Sequence, residues 1–167
     1  MHLAAWGLGS GENFKLLLDQ PGIDVQALDI DGTTALHNTC KNLGNLAALK
    51  ELLSHPAMEP GEAVKAKDNF GCTPMHYACN NGTVKPAILR ELLNFPDTDP
   101  NLKNLDGYAP ITLLLHYHIC RCEDCVHNNG IDWMDGTKES LKALLESGRV
   151  DLDIKDQEGL GLEELAR

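Results

Sequence analysis

Asp68-Asn69-Phe70-Gly71-Cys72-Thr73-Pro74-Met75-His76-Tyr77-Ala78 decides how this chain folds. A glycine in the middle of a polar tip supplies the positive φ that other residues resist. Thr73 is a helix N-cap, and Pro74 sits where a first-turn proline is tolerated. The stretch therefore reads as a tight turn that opens directly into a helix. The same order of residues recurs at Asp29-Ile30-Asp31-Gly32-Thr33-Thr34-Ala35-Leu36-His37. Weaker copies run from Asn104 through Gly107 to Thr112 and from Asp156 through Gly159 to Leu162.

Working outward, each turn is linked to a second helical run that ends in a leucine pair. The pairs are Leu17-Leu18, Leu52-Leu53, Leu92-Leu93 and Leu144-Leu145, and proline or glycine follows each closely, a helix stop. Leu46, Leu49, Leu52 and Leu53 share one face at helical spacing. So do Ile88, Leu89, Leu92 and Leu93, and Leu141, Leu144 and Leu145. One unit is thus a turn, a short helix, a turn, a second helix, a stop and an extended link. A single helix pair cannot cover its own apolar face, so copies must stack to share a core.

The string D-x-x-G-x-T-P-L-H-x-A with a following leucine pair resembles the ankyrin repeat, most closely at Asp68–Ala78 and well at Asp29–His37. Met1-His2-Leu3-Ala4-Ala5 resembles the P-L-H-x-A-A segment with its front missing. The resemblance implies an all-α solenoid of stacked helix-turn-helix units with short hairpin-like turns. It implies one domain over 1–167, with a truncated unit at 1–28 and further units at 29–67, 68–103 and 104–155. An insert lies at 119–136 and a partial unit at 156–167. The units exceed the family's usual length of about 33 residues, and the surplus around His55 to Val64 reads as a loop. The start inside a repeat and the short end suggest a piece of a longer protein.

Composition narrows the function. The chain has 167 residues, 25 acidic against 14 basic side chains and a net charge of −11. That field repels nucleic acid and anionic lipid, and it attracts a basic partner. Ile111–Leu115 is the longest apolar candidate and is far too short to span a bilayer. Met1–Gly9 lacks the basic start and long apolar core of a signal peptide. The six cysteines are not spread as a disulfide scaffold. Reduced thiols and an intracellular chain, cytoplasmic or nuclear, are expected.

Two constellations bear on chemistry. His37 with Cys40 and His76 with Cys79 lie three residues apart on helices, as in a thiol–imidazole pair or half a metal site. Their recurrence in successive units argues against catalysis. The resemblance instead implies that each histidine braces its turn, while each cysteine fills a small buried slot. The second constellation is His116-Tyr117-His118-Ile119-Cys120-Arg121-Cys122-Glu123-Asp124-Cys125-Val126-His127. Cys122-x-x-Cys125, with Cys120 and His127 beside it, has the chelate spacing of a zinc loop. The expected alternative function is therefore a regulatory domain with structural zinc or responsive thiols at 116–127. No cofactor is otherwise required. No G-x-x-x-x-G-K-[ST], G-x-S-x-G, H-E-x-x-H or kinase signature is present, so no enzyme is expected.

In the ankyrin family a concave face of turn tips and first-helix ends usually takes a partner protein. Carried over by position, the tips are Ile30, Asp31 and Thr33, then Asn69 and Phe70 with Cys72, then Leu105, Asp106 and Tyr108, then Gln157, Glu158 and Leu160. The helix ends are Trp6, Lys41, Asn42, Asn80, Asn81, His116 and Tyr117. The resemblance implies a monomeric scaffold or regulatory module that binds a protein or peptide, with the acids favouring a basic segment.

Overall fold

The structure, a computed structural model, describes residues 11–41, 46–80, 86–118 and 133–165. Among these residues the regular elements are helices, and the only pairing outside them is an isolated bridge between Lys155 and Gly161. The helices are α1 (Gly11–Leu18), α2 (Ala35–Lys41), α3 (Leu46–Leu53), α4 (Pro60–Lys65), α5 (Pro74–Cys79), α6 (Pro86–Leu93), α7 (Pro110–His118), α8 (Trp133–Glu146) and α9 (Leu162–Leu165). None is long and apolar enough to cross a membrane.

One turn is built four times. The backbone N–H of Asp29, Asp68, Asn104 and Asp156 donates to the carbonyl four residues on, at 2.9 to 3.0 Å. The side chain of the same residue folds inward and accepts backbone N–H groups. Asp68 Oδ1 takes those of Phe70 (2.9 Å) and Cys72 (2.8 Å), and Asn104 Oδ1 takes that of Tyr108 (2.9 Å). Successive turns also bond to each other. Asn69 N donates to Asp31 O at 3.0 Å, and Leu105 N donates to Phe70 O at 2.9 Å. Gly71 is required twice over. Its φ is +73°, and an added Cβ would sit 3.1 Å from Leu105 N in the next turn.

The first helices begin with one recurring lock. His37 Nδ1 accepts the N–H of Thr34 at 3.1 Å, and His76 Nδ1 accepts that of Thr73 at 3.0 Å. In the next unit Thr112 Oγ1 takes the N–H of Ala109 at 2.8 Å, and in the last Glu164 Oε2 takes that of Gly161 at 2.8 Å. Each lock satisfies a donor that a helix start otherwise leaves orphaned. Three side-chain chemistries thus do one job at equivalent positions.

The helices form two rows. α2, α5, α7 and α9 stack in order, and α1, α3, α6 and α8 stack behind them, with α2·α3, α5·α6 and α7·α8 paired across the rows. Leu36, Met75 and Ile111 of the first row meet Leu49, Leu52, Ile88, Leu89, Leu92 and Leu144 of the second in one continuous core. Each such side chain contributes roughly 1.5–3 kcal/mol on burial. Leu145 departs from the expected pattern and is exposed. Among the described residues no helix packs beyond α8 in its row to cover it.

The surplus in the second unit is not wholly a loop. Residues 60–65 form α4, with Pro60 in its first turn and Val64 buried. Gly61 allows the next unit to approach, because a Cβ there would lie 2.6 Å from Asp97 Oδ2. The links after α6 and α8 are joined by two polar residues. Arg149 donates to the carbonyls of Leu93 (3.3 Å), Phe95 (3.1 Å), Pro96 (2.8 Å) and Thr98. Asn101 returns the contact, donating to Arg149 O and accepting from Asp151 N, both at 2.7 Å.

Candidate partner-binding groove

The turns and the exposed edges of the first helices enclose a groove of about 460 Å³. Its lining comes from four places. Phe70, Cys72, Asn104, Asp106 and Tyr108 belong to the turns, Lys41 to α2, His76 and Tyr77 to α5 with Asn80 at its C-terminus, and Leu113 and His116 to α7. Two rings are held fast. Tyr77 OH donates to Asp68 Oδ2 at 2.7 Å, and its ring meets His37 edge-on at 5.5 Å. Tyr108 OH accepts Gln157 Nε2 at 2.8 Å, and its ring lies 5.4 Å from that of His116. The Lys41 ammonium sits 5.7 Å from the centre of the Tyr77 ring, a cation–π distance.

The expected contact residues fall into three groups. Ile30, Leu105 and Phe70 are 93%, 78% and 53% exposed at the tips, so large apolar surface does face water there. Asp31, Asn69, Asp106, Lys41 and Asn80 are exposed, and Tyr108 is half-buried. Thr33 departs from the expectation. It is buried and its hydroxyl donates to Asp29 Oδ2, so it locks the turn and is not presented. Trp6, Asn42 and Asn81 lie outside the described residues, as does the side chain of Tyr117. So do Cys120, Cys122, Cys125 and His127 of the expected metal set. Tyr77, Asn104 and Leu113 were missed by the sequence reading. The repeat register carried the signal, since the residue after each histidine or its substitute (Asn38, Tyr77, Leu113) lies on the first helix beside the turns.

The histidine–cysteine pairs are structural. His37 Nε2 donates toward the carbonyls of Cys72 (3.1 Å) and Ala66 (3.2 Å), and His76 Nε2 toward that of Tyr108 (3.1 Å). With Nδ1 also committed, neither imidazole is available as a base. Burial, the largest cause, depresses the pKa of both rings, that of His76 to about 4, while the carbonyl bonds offset part of the loss. Burial also pushes the Cys40 and Cys79 thiols far above their usual range. Iodoacetamide is therefore expected to leave both unlabelled in the native protein and to label both in urea, read site by site by mass spectrometry. The half-buried Cys72 in the groove should label slowly without denaturant.

A family model described as ankyrin repeats, three copies, matches residues 1–104. The chain belongs to the ankyrin-repeat family. Among curated relatives, it is 33% identical over 93 residues to ankyrin repeat-containing protein C6C3.08 of Schizosaccharomyces pombe, covering 56% of this chain and 36% of the relative. It is 37% identical over 84 residues to human SMC5-SMC6 complex localization factor protein 1, covering 50% of this chain and 7% of that protein. Human transient receptor potential cation channel subfamily A member 1 is 32% identical over 106 residues, 63% of this chain and 9% of the channel. The chain thus spans about a third of the length of the first relative and under a tenth of the others. Ankyrin repeats are generally protein–protein interaction modules, and the solenoid seen here is of that kind.

Proposed function

We propose that this ankyrin array binds a partner protein inside the cell through its turn tips and the groove beside them, as a non-enzymatic scaffold or regulatory module. The observation that carries this reading is the set of rigidly held rings opening onto exposed apolar tips. Aromatic anchors fixed before binding lose little entropy on association, and a polar rim of amides and acids surrounds them. The acidic excess favours a basic segment in the partner. The test is capture of cellular proteins on the immobilised chain, wild type against the double variant Phe70→Ala, Tyr108→Ala. At least about tenfold weaker capture by the variant is expected, the scale of losing two hot spots. Equal capture, with helical content unchanged by circular dichroism, would discard the face.

A second reading rests on the density of ligands in residues 116–127. Cys120, Cys122, Cys125 and His127 have the donor types of a structural zinc site. Protein purified without a histidine tag should then carry about one equivalent of zinc, and less than about 0.2 equivalents rejects it.

A further inference from the structure

From the charges and rings that line the groove, we infer that it is a subsite for one basic side chain, an arginine or lysine of the partner. The inference rests on the interaction face proposed above and names what that face reads. The groove already shows how its walls treat a cation, because the Lys41 ammonium lies 5.7 Å from the Tyr77 ring centre. That resident cation comes from α2, whereas Phe70 and Tyr108 line the groove from adjacent turns joined by the Leu105 N to Phe70 O bond.

Asp106, on the same turn as Tyr108, also lines the groove, exposed and without a salt bridge among the described residues. A guest cation in the groove shares it with the Phe70 and Tyr108 side chains and the Asp106 carboxylate. An aliphatic guest would leave the carboxylate unused, and with the Lys41 ammonium already placed over the Tyr77 ring the chain's net charge of −11 favours a basic guest over an acidic one. The Tyr108 ring is also positioned in advance. It is tied by Gln157 and lies tilted against His116, so little side-chain freedom is lost when a guest enters. Asp31 and Glu158, exposed at other tips, offer further carboxylates to neighbouring basic residues.

The test displays random twelve-residue peptides, selects on the full chain and counter-selects on the Phe70→Ala, Tyr108→Ala variant. Groove-dependent binders should share an arginine or lysine whose replacement by glutamine weakens binding about tenfold, the scale of a cation–π contact plus one partly exposed ion pair. Asp106→Asn should erase most of that preference without changing the circular dichroism spectrum. Affinity should fall as salt rises from 50 to 500 mM. Binders that need Phe70 and Tyr108 but carry no essential basic residue would overturn the subsite and leave the face standing. An absence of groove-dependent binders would overturn both.

Discussion

Lowering the pH from 7 to 4 is expected to remove about 3 kcal/mol of folding stability through His76 alone, at roughly 1.36 kcal/mol per pKa unit. The ring is buried, and burial depresses its pKa to about 4 from the ordinary histidine value of 6.5. Between those values the unfolded chain binds a proton that the native ring refuses. The contribution is therefore complete above pH 6.5 and is lost as pH falls toward 4. His37 is shifted in the same direction and adds to the loss. Protonating Nδ1 would also set two donors face to face at Thr73 N–H, breaking the lock that starts α5. Urea midpoints at pH 7, 6, 5 and 4 provide the measurement, with His76→Thr as the comparison. Threonine already closes the equivalent lock at Thr112. The variant should be less stable at neutral pH, because it lacks the bond to Tyr108 O, yet flatter below pH 6.5. Parallel pH profiles for the two proteins would show that the ring does not titrate as its burial requires.

Arg149→Ala should cost about 3 kcal/mol, the sum of a lost helix C-cap and charge-assisted bonds to partly buried carbonyls. Its guanidinium collects the carbonyls of Leu93, Phe95, Pro96 and Thr98, where α6 ends and the next link begins. Asn101 then ties the Arg149 backbone to the same link. Removing the fork leaves four acceptors to find water and uncouples the link after α6 from that after α8. Arg149→Lys keeps the charge but has no planar fork, so it should recover less than half of the loss. Denaturant unfolding of the three proteins measures this. A loss below about 1 kcal/mol for the alanine variant would reduce the guanidinium to a solvated surface charge.

Much of the fold was legible in local pattern. Asp68, Gly71, Thr73 and His76 fix a turn and a helix start within nine residues, and the bonds they make run mostly among themselves. The apolar faces of α3 and α6 follow from leucine spacing, and their burial follows from stacking. The candidate surface was legible by register at Phe70, Leu105, Asp106 and Tyr108. The same register placed Thr33 on it, although the Thr33 hydroxyl is spent on Asp29. Position in a repeat gives the side of the chain a residue occupies, whereas its hydrogen-bond partner decides whether it is presented.

What the sequence determined by itself was the repeated unit, because its signals are interactions between residues a few positions apart: a glycine's dihedral, a cap, a leucine stripe. What only the tertiary structure decided lies between units. The four carbonyls gathered by Arg149 are more than 50 residues from it. Gly61 is chosen by Asp97, 36 positions on, and Tyr77 becomes a groove wall only when the next turn brings Tyr108 to the same groove. Such contacts arise when separate copies are pressed together by the burial of their apolar faces. No local pattern of residue types encodes which polar atoms will then meet.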